Sequence, residues 1–382
     1  MNFDLSEDHL MVRQTVREFA EKELAPGAGE RDEKQEYPHE QMKQLGELGF
    51  MGVYIPEEYG GAGLDALSFV ITVEELARVD ASASVIVAVN NSLVCGGLEK
   101  FGTEEQKKKF LIPLASGQAL GAYSLSEAGS GSDAASLKAR ITPDGDDYIV
   151  NGTKLWVTNG ANAKYYIVFT TLNPELGYKG ICALIVDRDT EGFEIGKKEN
   201  KLGIRSSDTV ELIFNNARVP KVNLLGEEGK GFTVAMTIMD SGRLGIAAQA
   251  LGIAQGAFEA ALKYSMERKQ FGTEIINHQA IQFKLAEMAT EIDAGRFLTY
   301  RTAFVRDQGR NFTKEASMAK MFCSQVANKV ADQAVQVHGG YGYLKDFNVE
   351  RFMRDAKITD IYEGTSEVQR IVIARQLQKG NL

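Results

Sequence analysis

The period of the apolar residues changes twice along the chain, and these two changes constrain the fold more than any other feature. From Ser6 to about Gly121 the spacing is helical, as in Val12, Val16, Phe19 and Ala20. From about Tyr123 to Leu225 it gives way to short runs rich in β-branched and aromatic residues, separated by Gly, Asn, Asp and Pro. From Gly231 onward the helical period returns. Ile281, Leu285, Met288 and Ile292 form one stripe, and Phe322, Val326, Val330 and Val337 form another. The order predicts an α+β chain with segregated segments. Residues 1–121 are expected to form an all-α unit, 122–230 a β unit and 231–382 a helical bundle.

Local signals refine this outline. Ser6 is placed to cap a first helix that opens with Glu7 and Asp8 and ends before Pro26. A second helix is expected from Pro38 to Gly49, with others over Leu67–Val79 and Thr103–Ala115. Tyr148-Ile149-Val150 and Leu155-Trp156-Val157 flank Asn151-Gly152, which predicts a hairpin turn. No repeat of 20–50 residues is visible.

Composition removes several classes. With 382 residues, 44% hydrophobic and 25% charged, the chain is an ordinary globular sequence of two to three domains. A net charge of −9 and only one notable basic run, Lys107-Lys108-Lys109, speak against nucleic-acid binding. The run follows Glu104 and Glu105 and reads as a solvated helix face. Cys95, Cys182 and Cys323 are odd in number and widely spaced, which disfavours disulfides and thiolate zinc sites and fits a reducing compartment. His9, His39, His278 and His338 show no metal-ligand spacing, so no metal is expected. No secretory signal and no uncharged apolar run near ~18 residues is seen, so no membrane span is expected.

Three segments carry candidate chemistry. Ser124-Leu125-Ser126-Glu127-Ala128-Gly129-Ser130-Gly131-Ser132-Asp133 is rich in small and hydroxyl residues at the helical-to-β junction. It is either a plain loop or one that approaches a phosphate or ring closely. Trp156-Val157-Thr158-Asn159-Gly160 holds the single tryptophan, either a core residue or an aromatic wall for a planar cofactor. Tyr362-Glu363-Gly364-Thr365-Ser366-Glu367 puts a carboxylate just before a helix that Thr365 or Ser366 can cap. No Walker A and no Gly-x-Gly-x-x-Gly in a βαβ unit occurs.

Together with Arg268-Lys269-Gln270-Phe271-Gly272, Gln336-Val337-His338-Gly339-Gly340-Tyr341-Gly342 and Arg354-Asp355-Ala356-Lys357, these segments resemble the acyl-CoA dehydrogenase family. The resemblance spans essentially the whole chain with the motifs in order. It implies a helical domain, a β-barrel-like domain and a C-terminal four-helix bundle, assembled as a homotetramer, a dimer of dimers. It also implies FAD contacts at Tyr123, Leu125, Ser126, Gly131, Ser132, Trp156, Val157, Thr158, Thr365 and Glu367. Arg268, Phe271, Gln279, Gln336, Gly339 and Gly340 are implied to reach FAD held mainly by a neighbouring subunit. For the CoA thioester the matching positions are Ser132, Tyr178, Phe232, Asp240, Arg243 and Gly364.

The resemblance further implies the reaction: Glu363 removes the α-proton of an acyl-CoA while FAD accepts the β-hydride, with electrons passed to an electron-transferring flavoprotein. Members with the alternative base carry Glu where this chain has Gly242, so the base is expected at Glu363. Asp355 and Glu367 are the carboxylate rivals. Ala128 and the Asn173–Gly180 and Ser241–Gln249 segments look like the short and branched-chain members. Butyryl, 2-methylbutyryl, isobutyryl and cyclic carboxyl thioesters remain as substrates. The expected setting is a bacterial cytoplasm, or a mitochondrial matrix for a processed form. An oxygen-using acyl-CoA oxidase and a non-catalytic acyl-CoA-binding protein are the competing functions.

Overall fold

A computed structural model describes residues 4–380. Its first unit contains helices α1 (Glu7–Phe19), α2 (Ala28–Lys34), α3 (His39–Glu47), α4 (Ala66–Ala77), α5 (Ala81–Ala88), α6 (Gly96–Phe101), α7 (Glu104–Gln106) and α8 (Ile112–Ala115). The caps follow from the sequence. Ser6 accepts from the His9 N–H at 3.2 Å, and Asp80 accepts from the N–H groups of Ser82 and Ala83. Val12, Val16 and Phe19 then point inward on α1.

The Ala81–Phe101 helical stretch, α5 and α6 joined through a π-helical segment (Val89–Cys95), was not foreseen. Among the described residues it is the one helix long and apolar enough to cross a membrane, but 94% of its most apolar 18-residue window is buried inside the fold. It is the central rod of the first unit, and Asn90 and Asn91 on it satisfy backbone carbonyls of Met51, Leu114 and Phe50.

The middle unit is a curled seven-stranded sheet of β1 (Gly121–Ser124), β2 (Arg140–Asp144), β3 (Asp147–Thr158), β4 (Tyr165–Thr171), β5 (Ile181–Asp187), β6 (Phe193–Lys198) and β7 (Thr209–Pro220). The strand order is β1-β4-β2-β3-β7-β6, with β5 on β4. The expected turn at Asn151-Gly152 is absent. Both residues lie inside the continuous strand β3, paired with β2 on one side and β7 on the other, and a bulge replaces the turn. The chain reverses at Gly145 instead (φ 58°), between β2 and β3. Gly152 is needed for a different reason: a Cβ there would lie 2.7 Å from Ala139. A second bulge follows between Lys154 and Val157. Up to Lys154 the even-numbered residues Tyr148, Val150 and Lys154 face inward; after it Val157 does. The parity change turns Trp156 out at φ 58°.

The last unit is built on α9 (Gly231–Glu267), α10 (Gln279–Asp307) and α11 (Thr313–His338), with α12 (Val349–Ile358) and α13 (Ser366–Gln378) packed on α11. A two-stranded ribbon, β8 (Lys269–Gln270) and β9 (Thr273–Glu274), links α9 to α10. Both predicted stripes bury in this bundle. α9 also packs on α4, α5 and β5, so the core of the first and last units is continuous beside the sheet.

Candidate active site

The loop between α12 and α13 carries the candidate carboxylate. Thr365 caps α13 by accepting from the Val368 N–H at 3.3 Å. Just before the cap, Glu363 (φ 51°) and Gly364 (φ 92°) both take left-handed backbone. Such a conformation costs a non-glycine residue about 1–3 kcal/mol and persists where surrounding contacts enforce it. Here Gln369 on α13 donates to the carbonyls of Glu363 (3.2 Å) and Gly364 (2.7 Å), and Lys320 on α11 donates to the Gly364 carbonyl at 2.8 Å. With the carbonyls turned inward, the N–H groups of Glu363, Gly364 and Thr365 have no protein acceptor among the described residues.

Glu363 Oε2 is inaccessible to solvent and has no hydrogen-bond partner. It lies against Gly242 of α9. A Cβ at 242 would collide with Oε2 and stand 2.6 Å from Leu93. Burial pushes the Glu363 carboxyl up to about 7, against the pull of Lys320 and Arg243. Burial and the nearby Glu363 also raise the Tyr123 and Tyr362 phenols. Arg243 is buried, donates to Asp240 at 2.7 Å and leaves Nε unpartnered. Asp240 also accepts from Thr313 on α11.

The rival carboxylates stand in other settings. Asp355 is buried in α12, accepts from the Ile204 N–H and ties the sheet unit to the bundle. Glu367 is exposed, 3.6 Å from Arg370.

The motifs of the middle unit converge nearby. The Ser126 carbonyl accepts from the Leu155 N–H at 3.0 Å, which joins the Tyr123–Ser126 loop to the start of the Trp156–Thr158 segment. A buried ion pair underlies this joint. Lys154 Nζ reaches Glu127 at 2.8 Å and the Leu125 carbonyl at 2.9 Å, while Glu127 accepts from the N–H groups of Lys138 and Ala139. Trp156 is 55% exposed and therefore is not a core residue. Val157 is buried, so only its backbone is available. Gly131 and Ser132 are exposed on the adjoining loop, with open space around a Cβ at Gly131. Tyr178, from the β4–β5 connection, and Phe232, at the start of α9, meet with ring centroids 5.9 Å apart.

The remaining predicted residues form a separate cluster. Arg268, Gln270, Gly339, Gly340 and Tyr341 line an open cavity of about 420 Å³, walled by Tyr264, His338 and Leu344. The Arg268 guanidinium lies 5.5 Å from the Tyr341 ring centre, and His338 stacks on Tyr264. Phe271 is 94% exposed, and Gln279 and Gln336 are exposed. Lys320 and His338 mark the two clusters on α11. Eighteen residues separate them, or about 27 Å of helix.

Sequence reasoning passed over Lys154, Lys320, Gln249 and Gln369. Two of them had a signal. Lys154 shares inward parity with Tyr148 and Val150, and Lys320 falls on the buried α11 stripe between Ala316 and Cys323.

A solvent-shielded carboxyl near neutrality, acceptor-free N–H groups and an exposed aromatic on strained backbone fit a planar cofactor with phosphate arms. They suit a site that combines a protein acid or base with such a cofactor. Models of the acyl-CoA dehydrogenase N-terminal, middle and C-terminal domains match residues 6–118, 122–217 and 229–378. Over 376 residues the chain is 50% identical to the mitochondrial short-chain specific acyl-CoA dehydrogenase of Bos taurus, covering 98% of this chain and 91% of that one. The butyryl-CoA dehydrogenase of Megasphaera elsdenii superimposes with TM-score 0.97 at 46% identity, over 99% and 100% of the two chains. A chain in the structure described as the electron transferring flavoprotein of Acidaminococcus fermentans gives TM-score 0.98 at 48% identity, over 99% of each. The chain belongs to the acyl-CoA dehydrogenase family. It is an acyl-CoA dehydrogenase with the three-domain fold of that family, and its cofactor is FAD.

Proposed function

We propose that this enzyme dehydrogenates a short acyl-CoA thioester to the 2-enoyl-CoA, with Glu363 as the α-proton base. The observation that carries the assignment is Glu363 Oε2, shielded and unpartnered beside an empty Cβ position. A carboxyl held near neutrality is matched to accepting a proton at working pH. The Glu363 N–H is free to polarise the thioester oxygen, which acidifies the α-carbon. FAD supplies the hydride acceptor when bound. Tyr123, Leu125, Ser126, Gly131, Ser132, Trp156, Val157, Thr158, Thr365 and Glu367 would hold it on this subunit. Ser132, Tyr178, Phe232, Asp240, Arg243 and Gly364 would hold the thioester.

A short acyl chain suits the far wall of the site. Leu93 stands beside Glu363, and the Tyr362 hydroxyl donates to the fully buried Gln249 two turns beyond Gly242 on α9. In this reading the pair bounds the acyl side of the site. The names of the bovine and Megasphaera relatives support the same substrate class.

The Arg268–Tyr341 cluster is the place where a neighbouring subunit's FAD would lie. Its distance from Glu363 on the same chain fits a contribution to a second subunit's site; the homotetramer, a dimer of dimers, follows from the family resemblance. The units divide at 1–121, 122–230 and 231–382. Electrons leave to an electron-transferring flavoprotein, supported by the likeness to the Acidaminococcus chain. The setting is a bacterial cytoplasm or a mitochondrial matrix.

Anaerobic titration of the flavin band with butyryl, 2-methylbutyryl, isobutyryl, cyclic carboxyl and long-chain CoA thioesters tests this. Fast bleaching by a short thioester, and reoxidation that depends on electron-transferring flavoprotein rather than oxygen, is expected. Preferential bleaching by long chains, or rapid reoxidation in air alone, would refute it.

A further inference from the structure

We propose that Lys320 is a positioning residue for the reaction: its buried ammonium, anchored on the Gly364 carbonyl, holds a positive charge behind the Glu363 carboxylate. The inference rests on Glu363 being the base.

Lys320 sits two turns into α11 with no exposed surface. A lysine normally extends its ammonium to water, and burying that charge is costly unless it is paired. Its recorded acceptor, the Gly364 carbonyl, is neutral and already accepts from the Gln369 amide at 2.7 Å. A second neutral donor would anchor the turn equally well, so the hydrogen bond alone does not account for a cation here.

The charged surroundings identify its partner. From α9, Glu363 faces Arg243, which is bound to Asp240. From β1 it faces Tyr123, and from its own loop Tyr362. From α11 it faces Lys320, the leading opposing charge on the Glu363 carboxyl. Lys320 in turn faces Glu363 first, and Asp360, Arg243 and Glu367 more weakly. Asp360 is engaged by Ser366 and Lys357, and Glu367 is exposed. Burial lowers the Lys320 ammonium to about 8, so it is still protonated at neutral pH, where Glu363 must ionise. The apolar wall that gives the carboxylate its basicity would otherwise keep it protonated. Lys320 restrains that effect from its anchor on the neighbouring Gly364 carbonyl.

Three variants separate charge from anchoring. Lys320→Gln keeps a donor for the Gly364 carbonyl without charge, Lys320→Met removes both, and Lys320→Arg keeps the charge. The rate of anaerobic flavin reduction is followed against pH, with FAD content and thermal midpoint measured on the same holoenzymes. In the Gln and Met variants the acid limb, set by ionisation of Glu363, should move up by about one to three pH units. At pH 7 this corresponds to about a tenfold loss per unit, with FAD content retained. Lys320→Arg should keep the limb near the wild-type position.

Thermal midpoints with Glu363→Gln complete the test. Lys320→Met should lower the midpoint less in the Glu363→Gln background than in the wild type, because the charge it removes no longer has its partner. An unchanged pH limb in the Gln and Met variants would overturn the proposal. So would equal destabilisation in both backgrounds, or a Lys320→Met chain that fails to fold in either. A Lys320→Met chain that folds only with Glu363→Gln would support it. If Glu363→Gln itself reduced flavin at wild-type rate, the base assignment would fail instead.

Discussion

The two ends of α11 carry sites of opposite character. Near Lys320 the protein shields one oxygen of a partly buried carboxylate, leaves that oxygen without a partner and brings buried cations close to it. Near His338 it leaves glycines, an arginine over a tyrosine ring and an almost bare phenylalanine open to solvent. The carboxylate of the first site and the groups around it come from one chain. The second has a wall and no occupant of its own chain. Burial makes the first site legible from its physics, because a shielded unpartnered acid calls for a chemical reason. Exposure leaves the second without such a signal, since open polar and aromatic side chains are common on any surface.

The largest expected effect breaks the first site and leaves the second intact. Glu363→Gln should slow flavin reduction by ~10²–10⁴-fold or more while FAD stays fully bound. A near wild-type rate would remove Glu363 as the base. A carboxylate restored from α9 should recover part of the loss, and the geometry dictates how. A side chain at 242 collides with the one at 363, so Gly242→Glu should rescue a Glu363→Gly background better than Glu363→Gln.

A second prediction contrasts a buried ion pair with a partly exposed one. Lys154→Met leaves Glu127 buried without its cation and should cost ~3–5 kcal/mol in denaturant unfolding, loosening the Leu125 loop. Breaking the partly exposed Lys329–Glu291 pair (2.7 Å), toward the other end of α11, should cost less than about 1 kcal/mol. Equal costs would erase the contrast.

Arg268→Ala should do the reverse of Glu363→Gln. FAD occupancy and assembly are expected to fall several-fold without unfolding the subunit, followed by flavin absorbance and sedimentation. Full flavin content with unchanged assembly would return the Arg268 cluster to ordinary surface.

The smallest effect is the pH dependence of the wild type. The Glu363 carboxyl is raised in the fold, so it is protonated and unable to accept a proton below about 7. Flavin reduction in kcat/KM conditions should fall about tenfold per unit below that value and level off above it. A limb near 4.5 would show that the carboxylate is hydrated in solution.

The sequence by itself determined the succession of helical, strand and helical units, because each period needs only local residue spacing. It also carried the ordered motifs whose family resemblance implies Glu363 as the base; the local pattern of a carboxylate before a capped helix fits a capping acid equally well. The tertiary structure decided the rest. Asn151-Gly152 looked like a turn but lies inside a strand, because partners on both sides extend it and Gly152 makes room for Ala139. Trp156 could have been core or cofactor wall until a bulge two residues earlier reversed its side of the sheet. The spatial coincidence of Gly242 with Glu363, and the charge of Lys320 behind it, join residues 121 and 43 positions apart in sequence. Such pairings exist only where helices pack, and no local spacing encodes which buried charge will face which.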